Sequence, residues 1–136
     1  MMKRFQLAAA IAAPLCAVGL MSCGSNTRGN PSQTPVIQNI NPLTADDLVA
    51  AIAKAGLPVP NRRDVTQRDC PQIGCVQKVD TDTVSILKFP TPGRAQLYAG
   101  SIHDRLLIED VVMTFGPAVA AGDRPAYEGA VKRAIE

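Results

Sequence analysis

Two thiols with four residues between them, in Cys70-Pro71-Gln72-Ile73-Gly74-Cys75, are the side chains of this sequence best placed to do chemistry. Such a pair can close a small structural ring or work as a dithiol–disulfide couple. Thioredoxin-like couples place two residues between the sulfurs, at a helix N-terminus whose dipole lowers the thiol pKa. Here four intervene, and the second cysteine is expected to open a strand. Pro71 and Gly74 supply the bends that a short ring requires. The redox state of the compartment decides between the two readings.

Other reactive residues are few. His103 is the only histidine, and it stands in Ser101-Ile102-His103-Asp104. A catalytic triad is assembled by geometry from separate chain segments, and neighbours this close do not align as nucleophile, base and orienter. No Gly-x-Ser-x-Gly elbow occurs. One histidine and two pairing cysteines cannot furnish a zinc cage. Asp80-x-Asp82 starts like a calcium loop, but Thr91 falls where the bidentate glutamate belongs, and the pair reads as a turn. The glycines are scattered, with no phosphate-cradling loop. Glu109 and Asp110 are adjacent in a β-rich run, which would point them to opposite faces. Asn61-Arg62-Arg63-Asp64 and Arg68-Asp69 read as solvated mixed-charge loops that could also form a recognition surface.

The N-terminus identifies the compartment. Lys3 and Arg4 precede an uncharged, largely apolar stretch from Phe5 to Ser22, the layout of an export signal. A membrane span needs about 20 apolar residues, so length alone does not separate the two. The cleavage region does: Leu20-Met21-Ser22-Cys23 resembles the bacterial lipobox, although Met21 is bulkier than the usual occupant. The resemblance implies that residues 1–22 are removed, that Cys23 carries a diacylglyceryl group, and that the protein is anchored on the extracytoplasmic face of the cell membrane.

That reading resets the charge and cysteine counts. The whole chain has 14 basic and 12 acidic residues. Lys3 and Arg4 leave with the signal, so the mature form is neutral and its charge gives no reason to expect nucleic-acid binding. Cys16 is discarded and Cys23 lipidated, which leaves Cys70 and Cys75 to pair in an oxidising compartment.

Residues 23–42 form the lipidated cysteine and a tether rich in glycine, proline and small polar residues, unable to bury enough apolar surface to offset its chain entropy. Nineteen such residues reach about 25 Å in the r.m.s. sense. Residues 43–136 then make a single domain. Thr44 caps a helix over 45–55 with Leu43 and Leu48 as a hydrophobic staple, ended by Gly56, Pro58 and Pro60. A polar loop follows over 61–74. Cys75–Val79 and Thr83–Phe89 predict a hairpin turning at Asp80-Thr81-Asp82. Thr91 and Pro92 start a short helix. Leu106–Phe115 predicts one long strand, with a bulge or exposed edge at Glu109-Asp110. Asp123 caps a last helix over 124–135, with Tyr127, Ala130, Val131, Ala134 and Ile135 on one face. The expected fold is α+β: a small, mainly antiparallel three-stranded sheet with helices on one face, in the order α-β-β-α-β-α.

The lipobox, Gly56-Leu57-Pro58, the Cys70/Cys75 pair, the run Val84–Pro90 and the segment Ala95–Ala99 together resemble small actinobacterial, mycobacterial-type cell-envelope lipoproteins of uncharacterised function. The resemblance implies location and offers no catalytic residue. The expectation is a non-enzymatic accessory or protein-interaction role at the membrane, through the lipid on Cys23, with an envelope protein as partner and neither cofactor nor metal. A carrier or sensor of an apolar small molecule is the alternative. An extracytoplasmic redox enzyme using Cys70 and Cys75 is the third reading.

Overall fold

The computed structural model describes residues 41–136; the expected export signal, Cys23 and the expected tether up to residue 40 lie outside the described residues. The elements run α1 (Ala45–Lys54), β1 (Arg63–Asp64), α2 (Thr66–Ile73), β2 (Gln77–Asp80), β3 (Val84–Lys88), α3 (Pro92–Ala99), β4 (Arg105–Ile108), β5 (Val111–Phe115) and α4 (Arg124–Ile135). All pairings are antiparallel, in the order β1-β2-β3-β5-β4.

The α+β class stands, but the three-stranded sheet and the order α-β-β-α-β-α are corrected to five strands and α-β-α-β-β-α-β-β-α. Two local events account for this. The run Leu106–Phe115 folds back on itself: Ile108 pairs with Val111, so Glu109 and Asp110 form the turn of a β4–β5 hairpin. Glu109 takes φ 52°, the left-handed region that non-glycine residues seldom enter. The polar loop 61–74 contains the two-residue strand β1 and the helix α2. Helix α2 lacks a side-chain bond from its N-cap Val65, but Asp64 Oδ1 accepts from Thr66 N at 2.9 Å. Thr66 Oγ accepts from Lys78 N at 2.9 Å and seats the helix on β2. Gly74, at φ 84°, ends it, donating to Cys70 O at 2.7 Å.

Helices cover both faces of the sheet, not one. Side chains alternate along a strand, so Val84 and Ile86 of β3 with Val111 and Met113 of β5 join the core beneath α1 and α4. Leu87 and Val112 face the other way, with Phe89, Ala95, Ala99, Cys70 and Cys75. Phe89 packs on Tyr98 with ring centroids 5.2 Å apart. On that second face the row Asp80, Ser85, Thr114, Arg105 crosses four strands and is polar throughout.

The starts of the helices follow the sequence closely. Thr44 and Asp47 complete a capping box, Thr44 Oγ accepting from Asp47 N and Asp47 accepting from Thr44 N at 2.8 Å. Thr91 Oγ caps α3 through Arg94 N, with Pro92 in the first turn. Asp123 precedes α4 without a side-chain bond. The β2–β3 hairpin forms at the expected turn, although β2 begins at Gln77 and leaves Cys75 outside it. Gly116 lies against this turn, where a Cβ would come within 2.6 Å of Asp82 O.

Candidate functional site

The cysteine pair is bonded. Cys70 sits in the last turns of α2 and Cys75 just after its cap, with Cα atoms 4.7 Å apart. Both residues are buried among Leu87, Phe89, Ala95 and Ala99. Thiol–disulfide exchange requires a thiolate to reach one sulfur; this bond closes a ring at the end of α2 and packs against α3 and the sheet.

Residues 101–104 do not assemble a catalytic unit. Ser101 Oγ donates to Tyr98 O at 2.9 Å and finishes α3. Asp104, at φ 52°, pairs with Arg124 at 3.0 Å, and His103 is exposed. Among the described residues, no hydrogen bond joins Ser101, His103 and Asp104.

The acidic pair at the β2–β3 turn diverges. Asp82 accepts from Asn61 Nδ2 at 2.5 Å and lies 3.7 Å from Arg63. Asp80 faces the opposite way, 3.7 Å from Lys78. No group of three or more histidine, cysteine, aspartate or glutamate side chains able to hold a metal ion occurs among the described residues.

Asp80 belongs to a charged cluster that includes Asp69, Lys78 and Arg68. Lys78 Nζ donates to Asp69 Oδ2 at 2.6 Å, and Arg68 Nε donates to Asp69 Oδ1 at 2.6 Å. Hydrogen bonds from Arg68 first, then from Lys78, hold the Asp69 carboxyl well below the ordinary carboxylate range. Beside this cluster an open groove of about 460 Å³ runs past Asp64, Thr66, Gln67, Arg68 and Gln77. Asp64 is also held below the ordinary range, through its hydrogen bonds to Thr66. Arg62 crosses to Asp46 at the start of α1. The mixed-charge loops expected to be simply solvated are therefore organised by pairing into one polar surface.

Another polar cluster, not singled out in the sequence, lies at the far end of β3. Lys88 continues the inward phase of Val84 and Ile86, and its side chain is 5% exposed. Its ammonium donates to the backbone carbonyl of Asn41 and, at 2.6 Å, to that of Leu43. Asp110 Oδ2 lies 3.4 Å away on a fully buried side chain. The expectation that Glu109 and Asp110 lie in a strand pointing to opposite faces is replaced by this turn geometry, which sends Asp110 inward. The period-two pattern Val84-x-Ile86-x-Lys88 was the signal that places a lysine on the core face.

Compared with protein families, with curated proteins and with solved structures, the chain matches none of them. No helix among the described residues is long and apolar enough to cross a membrane.

Proposed function

We propose that the protein is a lipid-anchored cell-envelope protein of the actinobacterial type, exported, cut before Cys23, and non-enzymatic. It presents its folded domain for contact with an envelope protein partner. The observation that carries this reading is the Cys70–Cys75 bond. A disulfide as a permanent part of a core belongs to an oxidising compartment, and this chain opens with the signal and lipobox that would deliver it there. The surface offered for contact is the polar one described above: the row Asp80, Ser85, Thr114, Arg105 and the groove beside Asp64 and Arg68.

The carrier reading has one observation in its favour, a cleft of about 280 Å³ bordered by Leu57, Pro58, Val119, Ala126 and Tyr127. It falls just below the range of about 300–1,000 Å³ usual for a ligand site. Pro58 O also accepts from Tyr127 Oη at 3.0 Å and from Thr83 Oγ at 2.8 Å, which ties its walls together. The space between sheet and helices, where a carrier would hold an apolar molecule, is filled by Leu48, Ile52, Ile86, Met113 and Val131. The redox reading is disfavoured by the burial of both sulfur-bearing residues.

Fractionation and mass spectrometry of the N-terminal peptide test the proposal. The expected result is a membrane-bound protein beginning at an acylated Cys23, with Cys23→Ala released or left unprocessed. Two acyl chains anchor far more firmly than one, at about 0.8 kcal/mol per buried methylene. A wild-type protein recovered in the soluble fraction, with Cys23 unmodified, overturns it.

A further inference from the structure

We propose that Lys88 and Asn41 become joined by an isopeptide bond, with Asp110 relaying the protons. The inference rests on three buried side chains that meet at one point, two of which, Asn41 and Asp110, leave polar atoms without a hydrogen bond. Asn41 is 3% exposed, Lys88 4% and Asp110 0%. Neither oxygen of Asp110 has a hydrogen-bond partner among the described residues, and neither does Asn41 Nδ2. Buried polar groups in folded proteins are almost always bonded, so three such atoms in one cluster call for a cause. A plain ion pair does not supply it. Desolvating two charges is repaid only when good geometry and further hydrogen bonds satisfy both partners, and here the carboxylate has only an ammonium at 3.4 Å.

The same atoms are in order as a nucleophile, an electrophile and a proton carrier. Lys88 Nζ sits against the backbone carbonyl of Asn41, the residue whose side chain it would attack. The Asn41 amide oxygen accepts from Leu43 N at 2.9 Å. That N–H is aimed at the oxygen on which negative charge develops when an amine adds to the amide carbon. Asp110 Oδ2, 3.4 Å from the ammonium, would take its proton and expose the lone pair after closing a few tenths of an ångström. The β3 and β5 strands hold Lys88 beside Val111, next to Asp110, and the hydrogen bond to the Asn41 carbonyl keeps the amine at the residue it would attack.

The step balances without a cofactor or oxidant. Asp110 accepts a proton from the Lys88 ammonium, and the free amine adds to Asn41 Cγ. The Cγ–Nζ bond forms and the Cγ–Nδ2 bond breaks. Of the three ammonium protons, one remains on the new amide and two leave with Nδ2 as an ammonium ion. Asp110 ends as the carboxylate it was. The product fastens the segment that follows Cys23 to the central strand by a covalent bond, whether or not that cysteine is lipidated.

Peptide mapping of the full-length wild-type protein decides the matter. After denaturation, reduction and trypsin, residues 29–54 should appear joined to residues 79–94, lighter than the two together by one ammonia, with no cleavage after Lys88. Separate peptides with ordinary cleavage after Lys88 overturn the proposal. A link from Lys88 to the peptide that contains Asp110, with loss of water, overturns it as well. For the relay, Asp110→Asn should abolish the joined peptide and Asp110→Glu should retain it. A joined peptide in the Asn variant removes Asp110 from the reaction.

Discussion

Two lysines, ten residues apart on paired strands, meet their carboxylates in opposite ways. Lys78 shares Asp69 with Arg68, has Asp80 nearby, and keeps its side chain 15% exposed. Lys88 has Asp110 in a fully buried setting, and that carboxylate accepts no hydrogen bond. The first network lies at the surface, where water and several partners share the charge, and such pairs contribute little net stability. The second is costly to desolvate and severe to break. The chain therefore spends its exposed charge on shaping a surface and its buried charge on holding one point, the backbone of Asn41 and Leu43 where the domain begins.

The largest effect should come from breaking the buried side of that comparison. Lys88→Met removes the amine and with it any bond made to Asn41, releases both carbonyls, and leaves the buried Asp110 without its partner. It should lower stability by about 3–5 kcal/mol in urea unfolding. A loss under about 1 kcal/mol would show that Asp110 is already satisfied without Lys88. Arg68→Gln, on the exposed side, should change stability by no more than about 0.5 kcal/mol.

Opening the Cys70–Cys75 ring is next in size. Loop-closure entropy for a ring this short is worth about 2 kcal/mol, so the Cys70→Ser, Cys75→Ser variant should lose about that amount. Because α2 has poor helix formers and no side-chain bond from its N-cap, the loss should be concentrated there. Hydrogen exchange should show α2 amides opening first while α1 stays protected. Equal protection of the two helices would contradict this.

Thr44→Ala is smaller still. It removes the Oγ acceptor for Asp47 N and half of the capping box, at about 1 kcal/mol in thermal or urea unfolding. An unchanged midpoint would mean that Gln77 Oε1, which accepts from Ala45 N at 2.9 Å, holds this end of α1 by itself.

Where the sequence was legible, the signals were local. Thr44 with Asp47, and Thr91 with Pro92, start helices by chemistry contained within four residues. The apolar stripe of α4 lies within one segment, and Tyr127, Ala130 and Val131 are buried as its spacing requires. Legibility failed where distant residues decide. Thr66-Gln67-Arg68-Asp69-Cys70-Pro71-Gln72-Ile73 has little helical propensity and an internal proline; the disulfide and the Thr66–Lys78 pairing hold it in place. Strand β1 exists only because Arg63 and Asp64 pair with β2. The β4–β5 turn lacks the glycine or asparagine that marks such turns, since Glu109 takes the positive φ itself. The Lys88 cluster was half legible: the alternation places the lysine inward, but its partners come from a turn not anticipated and from the residues before α1.

The finest test of the comparison is the pH dependence carried by Asp69. Its folded-state pKa is lowered, by the hydrogen bonds from Arg68 and then from Lys78, whereas in the unfolded chain it returns to the ordinary value near about 3.9. A carboxyl depressed in this way binds protons more weakly when folded, so stability rises with pH wherever the unfolded chain is the more protonated. Its contribution is complete above the unfolded value and is lost as pH falls toward the lower folded value. Asp47 and Asp64 are lowered too, by hydrogen bonds to Thr44 and Thr66, so the wild-type curve alone mixes three groups. The difference between wild type and Asp69→Asn isolates one. That difference should be flat above about pH 5 and shrink progressively below about pH 4. Added salt should reduce it only slightly, because the contacts are 2.6 Å long and partly buried pairs are screened much less than exposed ones. A difference that stays constant down to about pH 2 would mean that Arg68 and Lys78 interact equally with the charged and neutral acid. The surface network would then be no more than a set of neighbours.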